Sequence, residues 1–262
     1  MTKKLGIMGS AIALAFAGAL AATPAAAGDI FKREAAGSIK DAPMESGRKF
    51  EWSVNAGFMT DYVFRGFSQS DEDPSYFVGA DASYGIAYVG IWGAKVDQFF
   101  TASDFEYDIY GGIKPKLGPV EFDLGVIYYG YSNQTATVDV DYWEFKVGAS
   151  TEINKLSAGV TYYYSPEYTF ETGEAHTVEG SLGYSLPKVW VFEPSIDGTI
   201  GYNDVELAGD YTYWNIGIGL AVEKLSFDFR YWDTDIDNDG AGSTGNNLAD
   251  ERFVFTTTIA LP

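Results

Sequence analysis

Cysteine is absent from this 262-residue chain, and histidine occurs once, at position 176. The first absence excludes disulfides, thiol catalysis and zinc–thiolate sites. Basic side chains are scarce where they would matter for nucleic acid: from residue 50 onward there are ten against 33 acidic ones, and the whole chain carries a net charge of -20. Phosphate affinity needs clustered Lys and Arg, so no nucleic-acid surface is expected and anionic partners are disfavoured. Beyond residue 27 there is also no apolar run long enough for a transmembrane helix. What is abundant instead is aromatic: 19 Tyr, 18 Phe and 6 Trp, with 30 Gly.

The first 27 residues read as an address. Lys3 and Lys4 precede an uncharged apolar run, Leu5 to Leu20, and Pro24 and the triplet Ala25, Ala26, Ala27 follow it. That order is the order of a secretory signal peptide cleaved after Ala27. A retained anchor is the competing reading, against which the Ala-rich tail and Pro24 argue. Residues 28–49 mix five basic and four acidic side chains without apolar periodicity, as expected of a flexible periplasmic leader.

From residue 50 the period is two. Phe50, Trp52, Val54, Ala56, Phe58, Tyr62 and Phe64 alternate with Glu51, Ser53, Asn55, Asp61 and Arg65. Successive strand side chains point to opposite faces, so such a segment has one greasy face and one wet face. The pattern recurs, and twelve strands are expected near 50–65, 76–84, 86–95, 104–114, 119–131, 138–150, 155–165, 174–186, 190–202, 211–223, 225–233 and 251–261. Both faces of the third are apolar or small, which makes it the least two-faced. The links alternate without exception between long and polar, starting with 66–75, and short, such as Gly85 and Lys224. An even number of strands of about ten alternating residues, with short turns at one end and long loops at the other, describes an all-β, antiparallel, transmembrane outer-membrane barrel over residues 50–262. A soluble barrel or sandwich would instead put the greasy residues inside.

Aromatics fall at both expected rims: Trp52, Tyr84, Tyr88 and Trp190 at the short-turn end, and Tyr62, Phe64, Tyr107, Tyr128, Tyr162, Trp214 and Tyr231 toward the other. The run Thr60-Asp61-Tyr62-Val63-Phe64-Arg65-Gly66-Phe67-Ser68-Gln69-Ser70-Asp71-Glu72-Asp73-Pro74, with Gly90-Ile91-Trp92-Gly93-Ala94-Lys95-Val96-Asp97 and Asp108-Ile109-Tyr110-Gly111-Gly112, resembles the TorF-type porins, also called the Gcw_chp family of proteobacterial proteins. The resemblance implies a porin-like outer-membrane barrel and leaves the solute undefined. The ending Ile259-Ala260-Leu261-Pro262 departs from the terminal aromatic usual in such barrels.

With the greasy faces on lipid, the pore-lining residues are expected to be Arg65, Asp81, Glu106, Asp108, Asp123, Glu144, Lys146, Glu179, Asp197, Asp228, Arg230 and Arg252. Closure of the last strand on the first should bring Arg65, Arg230 and Arg252 onto one wall at one depth, facing acids across the lumen. Such an array orders ions or dipolar solutes; the same array could be a salt-bridge lattice filling the barrel, since twelve strands lie between plugged and open sizes. Asp235, Asp237 and Asp239 followed by Gly240 have the spacing that opens a Ca²⁺-binding EF-hand loop, yet the twelfth position is Asn246 rather than Glu, which favours a plain solvated acidic loop. His176 alone is a weak basis for catalysis, so no enzyme and no cofactor are expected. The reading is an outer-membrane channel, reached through a cleaved signal peptide, for passive diffusion of small hydrophilic solutes, cations preferred. The alternative is a non-conducting barrel whose acidic loops bind a partner or divalent ions.

Overall fold

In a computed structural model, residues 49–98, 103–134, 139–236 and 247–262 are described. The proposed signal peptide and all but the last residue of the leader lie outside them. Twelve long strands form the wall: β1 Phe50–Met59, β2 Ser75–Tyr84, β3 Ala87–Gln98, β4 Ser103–Ile113, β5 Val120–Tyr131, β6 Tyr142–Ile153, β7 Leu156–Ser165, β8 Ala175–Ser185, β9 Glu193–Val205, β10 Gly209–Val222, β11 Leu225–Thr234 and β12 Arg252–Leu261. Each pairs antiparallel with its sequence neighbours, and β12 returns to β1 from Val54↔Leu261 to Met59↔Thr256. The sheet therefore closes on itself, leaving no open edge within the wall.

The period of two decides which face looks outward. On β10, Ile216 and Ile218 are exposed while Tyr213, Asn215 and Gly217 are buried. On β11, Phe229 is exposed and Asp228 and Arg230 are buried. On these strands the large apolar residues sit outside and polar ones inside, the reverse of a soluble barrel, while a cluster that includes Phe77, Trp92, Ile127 and Tyr129 is also turned inward. Phe50, Trp52, Tyr84 and Trp190 are exposed at the short-turn rim, and Tyr76, Trp143 and Phe253 toward the long-loop rim. Short turns are tight: Ile153 pairs with Leu156 around Asn154-Lys155, and Val222 with Leu225 around Glu223-Lys224.

Three expectations need correction. The first strand does not run to residue 65; it leaves the wall after Met59, and the chain from Asp61 to Ser70 is buried throughout. Tyr62 and Phe64, expected in the outer aromatic girdle, are inside the barrel at 1% and 2% exposure. Tyr88 also faces inward, donating a hydrogen bond to Asp123 (2.7 Å). The two-sided apolarity of β3 has its reason here: its inward Trp92 packs on Tyr62 (ring centroids 5.4 Å apart) and on Phe77 (5.9 Å), so one face meets lipid and the other meets the inturned segment.

Candidate functional site

The inturned segment is a miniature hairpin. Val63 pairs with Ser68 and Phe64 with Phe67, leaving Arg65 and Gly66 as the two-residue tip. Both have positive φ, 44° and 88°. Two consecutive residues of that kind are what a type I′ turn needs, and Asn-Gly is its usual sequence. Glycine takes the second place here, where a Cβ would also lie 2.3 Å from Thr234. Arginine in the first place is conformationally unfavourable, so its side chain must find compensation.

It finds it across the lumen. Arg65 Nη1 donates to Glu144 Oε1 (2.7 Å) and Nη2 to Oε2 (3.0 Å), with both side chains 1% exposed. The guanidinium carbon lies 4.7 Å from the Phe64 ring centroid and 5.0 Å from that of Tyr163, and Tyr129 donates its hydroxyl to Glu144 (3.0 Å). A bidentate charge-assisted pair with rings against the cation is the strongest way to hold a guanidinium in a low-dielectric site.

Two further attachments hold the hairpin's base. Tyr62 donates to Glu106 on β4 (2.8 Å), and Arg252 on β12 donates to Asp61 (2.9 Å), with Glu72 3.5 Å away. Asp61 in turn accepts from the hydroxyls of Ser68 (2.6 Å) and Ser70 (3.0 Å), which fixes the hairpin to itself. Backbone bonds run from Ser68 N to Leu248 O (2.8 Å) and from Asp97 N to Gln69 O (2.9 Å). A second loop contributes Tyr168, packed on Tyr142 (4.7 Å), and burial pushes its hydroxyl pKa up to about 12.

The remaining expected residues line the wall in separate groups. Arg230 binds Asp197 (2.7 Å) and Asp228 (3.0 Å), and Lys146 binds Asp123 (2.7 Å). Asp81 accepts from Tyr110 (2.6 Å), Glu179 accepts from Tyr213, and Asp108 is fully buried on the face it shares with Glu106. The three arginines do not form one wall. Arg230 and Arg252 are on adjacent strands, Arg230 opposite Val254 and thus two residues deeper than Arg252, while Arg65 rides on the hairpin and reaches β6. Asp235 is exposed, accepts from Thr212 N (2.8 Å) and lies at the long-loop rim; Asp237 and Asp239 are outside the described residues. Among the described residues no three His, Asp or Glu side chains gather as a metal site. His176 faces outward, 2.6 Å from the Tyr162 hydroxyl. The residues missed by the sequence reading are Tyr62, Phe64, Tyr129 and Tyr163. The two-residue Arg-Gly step between Val63-Phe64 and Phe67-Ser68 is the signal that exposes the hairpin.

Solved structures share the barrel. The KdgM porin superposes with TM-score 0.55 at 8% identity, covering 80% of this chain and 99% of its own. The KdgM porin in complex with disordered oligogalacturonate gives 0.54 at 8%, with the same coverage. The NanC porin gives 0.50 at 12%, covering 81% and 100%. At these identities the likeness establishes the fold, that of outer-membrane porins. No curated protein matches this chain. A family model described as "bacterial protein of unknown function (Gcw_chp)" matches residues 43–260, the hairpin and all of the wall but its last residue, and the chain belongs to that family.

Proposed function

We propose that the protein is an outer-membrane channel for passive diffusion of small hydrophilic solutes, cations preferred; a porin-like barrel is also what the resemblance of its loop motif to the TorF-type porins implies. The observation that carries this is how the wall treats its large inward side chains. The Tyr88 hydroxyl lies where a Cβ at Gly112 or Gly125 would come within 2.7 Å, and the Arg230 guanidinium lies equally close to Gly217. These side chains are laid flat on the wall over glycines instead of crossing the axis. The wall also turns in small polar groups, among them Ser53, Ser83, Ser157 and Thr199. A barrel filled for stability alone would gain by pointing bulk at its centre. Here the body that crosses the lumen is the hairpin.

Charge supports the cation preference. Asp61, Asp81, Asp108, Asp123, Glu144, Asp197 and Asp228 turn inward with Arg65, Lys114, Lys146, Arg230 and Arg252, seven carboxylates with five cations. Such an excess concentrates permeant cations at close range. In this reading residues 1–27 are removed on export, 28–49 remain as a periplasmic leader, and the short-turn rim is periplasmic. Intact mass of the membrane-fraction protein should therefore start at Gly28. The deciding measurement is single-channel recording in a planar bilayer under a KCl gradient, where the reversal potential should take the sign of cation selectivity. No conductance from a folded variant with the hairpin trimmed away would overturn the channel reading.

A further inference from the structure

We propose that the wall around Arg65 is a binding site for a guanidinium-bearing organic cation, which the hairpin tip occupies as a stand-in. This rests on the channel reading and names its solute class. Four observations carry it. The Glu144 carboxylate presents both oxygens to one guanidinium, at 2.7 and 3.0 Å. Tyr129 holds that carboxylate at Oε2 (3.0 Å), so its orientation does not depend on the arginine. Tyr163, on the neighbouring strand β7, supplies a ring face 5.0 Å from the guanidinium carbon. All three partners belong to the wall and stay when the hairpin leaves.

The tip itself is held in a strained backbone. Arg65 holds a backbone conformation with φ of 44°, uncommon for a side-chain-bearing residue, and its Nε makes no hydrogen bond although it is buried. A solute guanidinium could take the same two oxygens and the same ring face with no backbone strain. The exchange is between like groups: as Arg65 withdraws the solute's guanidinium takes its place, and Glu144 is paired with one guanidinium before and after. Because Arg65 is fixed to the hairpin through Phe64 and Gly66, its displacement loosens the body that crosses the lumen. A carboxylate solute could not do this, since it would have to approach Glu144, Glu179 and Glu106 without a free cation at the tip to receive it. The site therefore couples solute class to opening.

The probe is agmatine, a guanidinium carried on a short amine chain, with glutamate as the control of opposite charge. Full-length protein with residues 62–72 replaced by a Gly-Ser linker is folded in detergent and titrated calorimetrically. Agmatine should bind this variant at least tenfold more tightly than wild type, whose tip competes, and Glu144→Gln in the same background should abolish the gain; glutamate should not bind. A trimmed variant that conducts but does not bind agmatine overturns the site and leaves the channel standing. One that binds agmatine but does not conduct overturns the channel and leaves the site standing. If the trimmed chain does not fold, Arg65→Ala in the full loop decides: agmatine should raise its melting temperature, an effect lost in Arg65→Ala with Glu144→Gln, and no rise overturns the proposal.

Discussion

At Arg65 and Glu144 the decisive quantity is the cost of leaving one charge behind. Both side chains are 1% exposed, so neither can be rescued by water when its partner goes. Arg65→Ala should destabilise the folded barrel by about 3 to 5 kcal/mol, because an unpaired buried carboxylate remains. Arg65→Met together with Glu144→Leu should lose far less, since both desolvation costs vanish with the charges. Urea titration of protein folded into lipid vesicles measures both. Equal losses would show that the clamp contributes through packing against Phe64 and Tyr163 and not through charge. The same scale explains why tyrosine is so frequent inward: Tyr62, Tyr110 and Tyr213 bring a hydroxyl to Glu106, Asp81 and Glu179, pairing each carboxylate without adding a cation.

A strand is legible when both its faces have fixed surroundings. On β10 the sequence Trp214 to Val222 alternates because lipid lies on one side and a polar lumen on the other, and the structure follows it residue by residue. Ile216, exposed at mid-strand, should therefore resist charge: Ile216→Arg is expected to cost roughly 2 to 4 kcal/mol in vesicle folding if the site is near the midplane, and an unchanged midpoint would mean the outward face does not meet hydrocarbon. The same alternation misleads at residues 60–65. Tyr62 and Phe64 continue the greasy register of β1, but Tyr62 packs on Trp92 and Phe64 lies against the guanidinium of Arg65, so inside the barrel both rings find partners in place of lipid. Period alone cannot separate lipid from a packed interior. Turn chemistry can, since Arg65-Gly66 sits as a two-residue step between Val63-Phe64 and Phe67-Ser68, although arginine is an atypical first residue for such a turn. Gly66→Ala tests the assignment: with φ of 88° and a Cβ 2.3 Å from Thr234, it should loosen the hairpin and increase proteolysis between residues 60 and 74 while leaving the wall intact.

For the whole molecule, the arrangement of charge should set how selectivity depends on salt. The inward excess of carboxylates is distributed over many strands, from Asp81 on β2 to Asp228 on β11, so no single ring dominates. A distributed field acts on an ion through several ångströms of water, and screening shortens its reach from about 10 Å at 0.1 M salt to about 3 Å at 1 M. Cation preference, read from reversal potentials at a fixed concentration ratio, should therefore fall strongly between those two ionic strengths. Asp108→Asn removes a carboxylate from the inward face of β4 and should lower the preference at 0.1 M with little effect at 1 M. Arg230→Gln should act oppositely, freeing Asp197 and Asp228 from their shared cation. If selectivity instead arose from direct coordination at one narrow place, ions would be stripped of water there and screening would matter little. A cation preference that persists unchanged at 1 M, and that only Glu144→Gln removes, would locate all selectivity at the hairpin clamp and refute the distributed field.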